Sequence, residues 1–290
     1  MEKIEFKKGE IDALKPLIID GNIDNTEAEM YLYNDKLIKR LYPEFKREYD
    51  NKIYTVNELI KVKDNIDLDE LIMPLGFVQN NNKIIGFTLP YIDNINFQTI
   101  LNDKSVSIEY KVKLLKDIGK LLEKMELLRK NGLSNNLYLN DLHEGNFILN
   151  KESKKINAVD LDSAKIGTNK VCASKSLGFG MHSEGLSKYK SASKKNSVGG
   201  LYIPNYDTEI YSYIVMIFKL FYGENIDKMK VKEYFNYLDY MHEIGVSNTL
   251  VDKLSLIYKQ SSNENPYEYL KELVPCYGKI DKETYRKLKK

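Results

Sequence analysis

Carboxylate and amide side chains occur a few residues apart in the stretch LNDLHEGNFILN, residues 139–150. Asp141 and Asn146 stand there between two apolar runs. A second apolar run, INAVDLDSA, leads into Asp160 and Asp162. Carboxylate and amide oxygens are ligands that Mg²⁺ accepts, and a carboxylate can also orient a hydroxyl nucleophile. Phosphoryl transfer needs both in one cleft. We therefore predict Asp141 as the catalytic carboxylate and Asn146, Asp160 and Asp162 as metal ligands.

A lysine upstream supplies the cation that phosphate oxygens require. Lys39 has apolar neighbours in the predicted strand LIKRL, so its side chain is expected to face inward, although it could also be one of many solvated lysines. Glu58, on the helix that follows, is expected to pair with Lys39 and hold it in place. Glu48 on the same helix is a rival, and a surface helix can carry either glutamate without a catalytic role.

The elements that must position these residues follow from the hydrophobic pattern. AEMYLYNDKLIKRLY, residues 28–42, predicts a β-hairpin that turns at Asn-Asp. Apolar residues at helical spacing predict a helix over 45–63. Residues 72–92 predict two further strands joined by an asparagine-rich turn. Together they predict a small, mainly antiparallel sheet with one helix.

The pattern changes after residue 92. Residues 108–132 predict a long amphipathic helix that ends at a glycine. The acidic strand end comes after the 139–150 loop, and the composition of a Ser/Lys/Gly-rich segment over about 165–203 predicts a loop. A second long helix is predicted to start near Thr208, with further helical segments behind it.

In this order the motifs resemble the protein-kinase-like superfamily, which includes aminoglycoside and choline phosphotransferases, over nearly the whole chain. DLHEGN resembles the catalytic loop. The His-Glu-Gly sequence before its Asn is closer to small-molecule and bacterial members than to typical eukaryotic protein kinases. VDLDS resembles the metal-binding strand end, with Asp160 in place of the first residue of Asp-Phe-Gly and Asp162 in place of the glycine. LIKRL resembles the strand that carries the phosphate-binding lysine. TEIYSYIVMIFKLFYG resembles the helix packed under the active site.

The resemblance implies a bilobal α+β fold, with an N-lobe over 1–92 and a larger, mainly helical C-lobe over 93–290. It implies ATP and Mg²⁺ as cofactors, bound between the lobes. The adenine is then expected against the hinge strand, at Leu89 and Tyr91, and the phosphates toward Lys39.

Several motifs depart from the protein-kinase pattern. No G-x-G-x-x-G precedes Lys39, and the A-P-E motif is missing. Leu139 and Asn140 replace the His-Arg that precedes the catalytic Asp, which removes the arginine that would contact a phosphorylated activation segment. Glu209 stands where the family helix usually begins with Asp. These departures leave the acceptor open.

Other interpretations of these residues remain. Asp141 and Asn146 could serve only as turn formers, and Asp162 could cap the following turn instead of binding a metal. For His143 we favour a structural role in the loop. His182 and His242 show no ligand spacing with the cysteines, so we expect no zinc site.

Composition limits the class of protein. Among 290 residues, 44 basic and 42 acidic side chains nearly cancel, which argues against general binding to nucleic acid. The longest apolar run is too short for a membrane anchor, and two widely separated cysteines favour reduced thiols, so we expect a cytoplasmic protein. We expect a kinase that acts on protein Ser/Thr, with Thr168 and serines of the 165–203 loop as possible autophosphorylation sites. The rivals are a small-molecule kinase and a catalytically weak pseudokinase scaffold.

Overall fold

The computed structural model describes residues 2–7, 9–17, 28–44, 46–134 and 136–168, and beyond these residues 171–172, 197–198, 204–206 and scattered positions from 209 to 252. Within these residues the protein is mixed α+β, with a five-stranded mixed sheet and three helices. This confirms the predicted α+β class. Most of the 165–203 segment, including His182, lies outside the described residues, as does Cys276.

Five strands form the main sheet in the order β1-β4-β5-β3-β2. They are β1 (Glu2–Phe6), β2 (Ala28–Tyr33), β3 (Lys36–Leu41), β4 (Gly76–Asn80) and β5 (Lys83–Pro90). Neighbouring strands are antiparallel except β1 and β4, which run parallel. The predicted antiparallel strands are confirmed, and β1 is an additional edge strand that the sequence did not predict.

Two tight asparagine turns fix the register of the antiparallel strands. Asn34 and Asp35 between β2 and β3 both have positive φ, at 45° and 59°. Asn81 and Asn82 between β4 and β5 have φ of 49° and 61°. Two successive residues with positive φ match the hairpin turn whose twist suits the flanking strands. Asn and Asp tolerate this conformation better than other non-glycine residues.

Both faces of the sheet are covered, and their alternation orients Lys39. One face packs on helix α1 (Lys46–Val62) through a cluster that includes Leu41, Val56 and Phe87. The other face packs on the N-terminal segment through a cluster that includes Ile38. Because successive side chains of a strand point to opposite faces, Lys39 lies on the α1 face of β3, the strand between β5 and β2.

Further elements that follow the sheet complete the surroundings of the candidate site. They are β6 (Asn94–Asn96), helix α2 (Phe97–Asn102), helix α3 (Ile108–Lys130), β7 (Phe147–Asn150) and β8 (Ile156–Ala158), with a short parallel pair, β9 (Val171–Cys172) and β10 (Ser197–Val198). β6, β7 and β8 form an antiparallel sheet. The DLHEGN loop leads into β7 and the acidic stretch leaves β8, so the pairing of these strands brings the two stretches together.

Helix α3 begins and ends where the sequence predicts. The Ser107 hydroxyl accepts a hydrogen bond from the Tyr110 N–H at its start, and Gly132 has φ +70° just beyond its end. The described positions from Glu209 to Leu220 are helical, and Tyr213 donates a hydrogen bond to the Leu115 carbonyl of α3. Within the part of the chain that the structure describes, no helix has the length and apolar character needed to cross a membrane.

Candidate active site

Asp141 and Asn146 contact each other within the DLHEGN loop. The Asn146 Nδ2 donates a hydrogen bond to the Asp141 carbonyl at 2.8 Å and lies 3.4 Å from Asp141 Oδ2. The amide nitrogen is therefore turned toward Asp141, which leaves Oδ1 on the opposite side of the group. Both residues line a small recess together with Asp160 and Ser163. The structure thus brings together three of the oxygen-bearing residues that the sequence singled out.

His143 and Gly145 give the loop its shape. The Gly145 N–H donates to His143 Nδ1 at 3.0 Å, so a neutral His143 carries its proton on Nε2, which lies 3.5 Å from Asp141 Oδ2. A Cβ at residue 145 would lie 2.8 Å from His143 Cε1, closer than real Cβ atoms approach. His143 is buried, accepts the Gly145 N–H and lies beside Asp141, which fits the structural role expected for it.

The turn that follows β8 carries Asp160 in a left-handed conformation, with φ 62° and ψ 36°. Asp is among the few non-glycine residues that adopt it readily. The turn places Asp160 and the buried Asp162 beside the ammonium group of Lys39. Asp160 is in contact with Lys39 Nζ, and Asp162 Oδ1 and Oδ2 lie 2.9 and 3.1 Å from it. Lys39 therefore faces inward, toward the candidate site, as the strand pattern predicted.

A second buried lysine, absent from the sequence-based predictions, completes this cluster. Lys52 of α1 is 2% exposed, and its Nζ lies 2.9 Å from Asp162 Oδ2. Sequence reasoning missed Lys52 because it is one of many lysines in a charged helix. The only available signal was its position on the same face of α1 as Val56, which lies in the core.

Glu58 does not contact Lys39, contrary to the sequence-based expectation. Its Oε1 lies 2.6 Å from the Nζ of the exposed Lys61. Residues turn by about 100° each around an α-helix, so Glu58 lies about 120° away from Lys52, which is the residue that faces the cluster. The partners of Lys39 are Asp160 and Asp162, both more than one hundred positions away.

Buried charges at this cluster stabilise one another. Burial lowers the pKa of Lys39, but Asp160 and Asp162 raise it, and the net shift is upward. Burial raises the pKa of Asp162, but Lys39 and Lys52 outweigh this, so its pKa lies well below the usual range. Lys39 and Asp162 are therefore charged at neutral pH, and each lies beside a side chain of opposite sign.

A second buried ion pair holds the beginning of the DLHEGN loop. Arg129, in the last turn of α3, pairs with Glu209 through Nη2 and Oε2 at 2.8 Å and donates to the Leu137 carbonyl at 2.7 Å. Glu209 Oε1 accepts the Leu139 N–H at 2.7 Å. The Arg129 guanidinium also stacks over Tyr138, 4.3 Å from the ring centroid. The acid at the start of the second long helix thus fixes the loop backbone two residues before Asp141.

The remaining predicted nucleotide contacts lie at the end of β5. Leu89 is half-buried and packs on the α1 side of the sheet, and Tyr91 just beyond the strand is exposed. Neither residue contacts Asp160 or Lys39 by hydrogen bond, so their predicted role in binding an adenine stays a prediction. Thr168, named from the sequence as a possible autophosphorylation site, has its hydroxyl 3.1 Å from the Tyr54 hydroxyl.

The oxygen atoms around the recess suit Mg²⁺ if other ligands come from phosphate and water. Among the described residues, no group of three or more His, Cys, Asp or Glu side chains could hold a metal ion. A carboxylate at Asp160 and an amide oxygen at Asn146 nevertheless supply two hard oxygen donors in one recess. Magnesium in nucleotide sites characteristically takes only one or two protein ligands and fills the rest with water and phosphate oxygens.

No family model matches the chain, and no curated protein matches it with significant similarity. The function of this protein must therefore be inferred from the arrangement of its own residues.

Proposed function

We propose that this protein is an ATP- and Mg²⁺-dependent phosphotransferase of the protein-kinase-like class, with a bilobal architecture divided near residue 92. The observation that carries the proposal is the convergence of Asp141, Asn146 and Asp160 on one recess, with Lys39 in contact with Asp160. Lys39 lies far from the other three in the sequence, and turn propensity gives no reason for them to meet.

Each residue has a distinct part in the proposed reaction. Asp141, oriented by His143 and Asn146, accepts the proton of the acceptor hydroxyl as its oxygen forms a bond to phosphorus and the bond to ADP breaks. Lys39 contacts the phosphate oxygens. Asn146 and Asp160 hold the magnesium ion, which when bound neutralises charge on the phosphates. A protein Ser/Thr hydroxyl is the acceptor that we favour.

A small-molecule acceptor is the second candidate. The observation in its favour is the His-Glu-Gly filling of the loop, in which His143 and Gly145 contact each other, together with the lack of an arginine at the position before Asp141. A turnover screen with hydroxyl-bearing metabolites and antibiotics separates the two candidates. A protein that does not bind nucleotide would be the pseudokinase scaffold.

Intact-mass spectrometry after incubation with ATP and Mg²⁺ tests the proposal. We expect mass increments of whole phosphate groups in the wild type, and none in Asp141→Asn or Asp160→Asn. Asn tolerates the left-handed conformation, so the second variant removes charge without adding backbone strain. Asp93→Asn, at an exposed aspartate that pairs with Lys151, is the control and should behave as wild type.

Two other results would redirect the proposal. Equal increments in all the variants would show that phosphorylation comes from a contaminating kinase. No increment in the wild type, together with no ATP consumption across the acceptor screen and no thermal shift with ATP and Mg²⁺, would exclude the phosphotransferase.

A further inference from the structure

The carboxylate of Asp162 is fully engaged by two buried ammonium groups. Oδ1 lies 2.9 Å from Lys39 Nζ, and Oδ2 lies 2.9 Å from Lys52 Nζ and 3.1 Å from Lys39 Nζ. The Asp162 side chain is 1% exposed, whereas that of Asp160 is 33% exposed. The two acids of VDLDS are thus in different environments, although they are two residues apart.

This difference separates their roles. A divalent cation at Asp162 would have to displace an ammonium group and lie buried between two positive charges, which is electrostatically unfavourable. Asp160 lines the recess with Asn146, and only Lys39 among the described lysines is in contact with it. Asp160 is therefore the acid that can reach a ligand in the recess.

Lys52 completes the charge balance of the buried cluster. With Lys39 alone, Asp160 and Asp162 would share one ammonium group, and a buried charge that is only partly paired is costly. Lys52 supplies the second cation from α1, the helix on which Glu58 was expected to act. A helical acid is therefore unnecessary here, because the lysine is held by an acid from the segment after β8.

We propose that Asp162 and Lys52 are positioning residues that form an anchor for Lys39, and that Asp162 does not bind the metal ion. We call Lys39, Lys52 and Asp162 together the lysine anchor. In this arrangement Asp162 fixes one side of the Lys39 ammonium group, and Lys52 holds the Asp162 carboxylate in place. The link from the anchor to phosphate binding rests on the proposed function, but the anchor itself belongs to the protein without ligands.

The first test needs no ligand. Brief treatment with an amine-acetylating reagent, followed by peptide mass spectrometry, measures the modification rate of each lysine. We expect Lys39 to react several-fold faster in Asp162→Asn and Lys52→Met than in the wild type. Lys52→Arg keeps the charge and should protect Lys39 as in the wild type. Lys61→Met, at an exposed lysine of the same helix, is the matched control and should leave Lys39 unchanged.

The second test separates positioning from metal binding. Nucleotide affinity is titrated against Mg²⁺ for the wild type, Asp160→Asn and Asp162→Asn. We expect Asp162→Asn to weaken nucleotide binding without changing the Mg²⁺ concentration needed for half-maximal effect. Asp160→Asn should raise that concentration by more than about tenfold, since even an outer-shell partner of a metal is worth that much.

Specific outcomes overturn the inference. Unchanged Lys39 acetylation in both Asp162→Asn and Lys52→Met would remove the anchor, and an equal rise of the Mg²⁺ requirement in Asp162→Asn and Asp160→Asn would make Asp162 a metal ligand. If Asp162→Asn does not fold, the comparison of Lys52→Met with Lys52→Arg decides. If the wild type binds no nucleotide, the proposed function fails while the acetylation test still decides on the anchor.

Discussion

At the scale of single residues, the contact between His143 and Gly145 constrains which residue can occupy position 145. A glycine is needed at residue 145 for space and not for backbone conformation, since a Cβ there would lie 2.8 Å from His143 Cε1. His143 Nε2 in turn lies 3.5 Å from Asp141 Oδ2. The spacing of Asp141, His143 and Gly145 is thus a single steric and hydrogen-bonding unit.

We predict that Gly145→Ala lowers the kcat of phosphoryl transfer by roughly tenfold to a hundredfold, because displacement of the imidazole by an ångström misplaces Asp141. Steady-state kinetics and a thermal melt measure the effect, and the melting temperature should change little. The double variant His143→Ala/Gly145→Ala should be no slower than His143→Ala alone, because the clash needs the ring. Additive losses in the double variant would contradict the steric explanation.

Residue types alone indicated much of this site, but not its pairing. Asp141, Asn146, Asp160 and Lys39 were identified because their chemistry and order fit phosphoryl transfer. The pairing of Lys39 with Asp160 and Asp162 was not, because Glu58 is an acid on a helix close in sequence, and only the packing of α1 on the sheet decides that Lys52 and not Glu58 faces the cluster. Such packing depends on contacts between distant segments and has no local signal.

At the scale of elements, the Arg129–Glu209 pair connects the end of α3, the loop before Asp141 and the start of the following helix. Burial raises the pKa of Glu209 to about 7, although Arg129 and the Leu139 N–H lower it. Glu209 is 1% exposed, so water does not screen the pair. Protonation of one side chain near neutral pH therefore affects how firmly the loop is held.

We predict a pH dependence of unfolding that Glu209→Gln removes. The pKa of Glu209 is higher in the folded state, at about 7, than its ordinary value of 4.5. Its stabilising contribution is therefore complete below pH 4.5 and is lost as the pH rises to about 7, with a limiting slope of about 1.4 kcal/mol per pH unit. Urea unfolding at intervals from pH 5 to 7.5 measures this slope.

The comparison between variants isolates Glu209. The difference in unfolding free energy between wild type and Glu209→Gln cancels the titration of groups that both proteins share. Glu123→Gln, at an exposed glutamate of α3, is the control and should follow the wild-type curve. Parallel curves for wild type and Glu209→Gln would contradict the assignment of a shifted pKa to this residue.

Local sequence signals located most described elements. The Asn34–Asp35 and Asn81–Asn82 turns mark both hairpins, and apolar periodicity with Ser107 and Gly132 marks α3. Strand β1 was missed because it pairs in parallel with β4, from Gly76 to Asn80, and parallel pairing has no turn signal.

At the scale of the whole molecule, the α+β class could be predicted from these elements. The packing that brings β3, α1 and the segment after β8 together could not. The division at residue 92 and the proposed bilobal arrangement rest on the resemblance of the motifs. The oxygen-bearing residues of the recess come from two neighbouring stretches joined by β7 and β8, so local order along the chain was a useful guide there.

The lysine anchor also has a consequence for the speed of unfolding. It joins Lys39 and Lys52 to Asp162 across 123 and 110 positions of sequence, so the chain must close large loops before these ion pairs exist.

We predict that Lys52→Met removes about 2 kcal/mol of stability by loss of a charged hydrogen bond. Interactions that form after the transition state change the unfolding rate alone. Stopped-flow urea jumps should therefore show unfolding accelerated by roughly thirtyfold, with refolding close to wild type and to Lys61→Met. Slower refolding with unchanged unfolding would place the anchor early in folding. In the expected case, the same contacts that order the site set the lifetime of the native state.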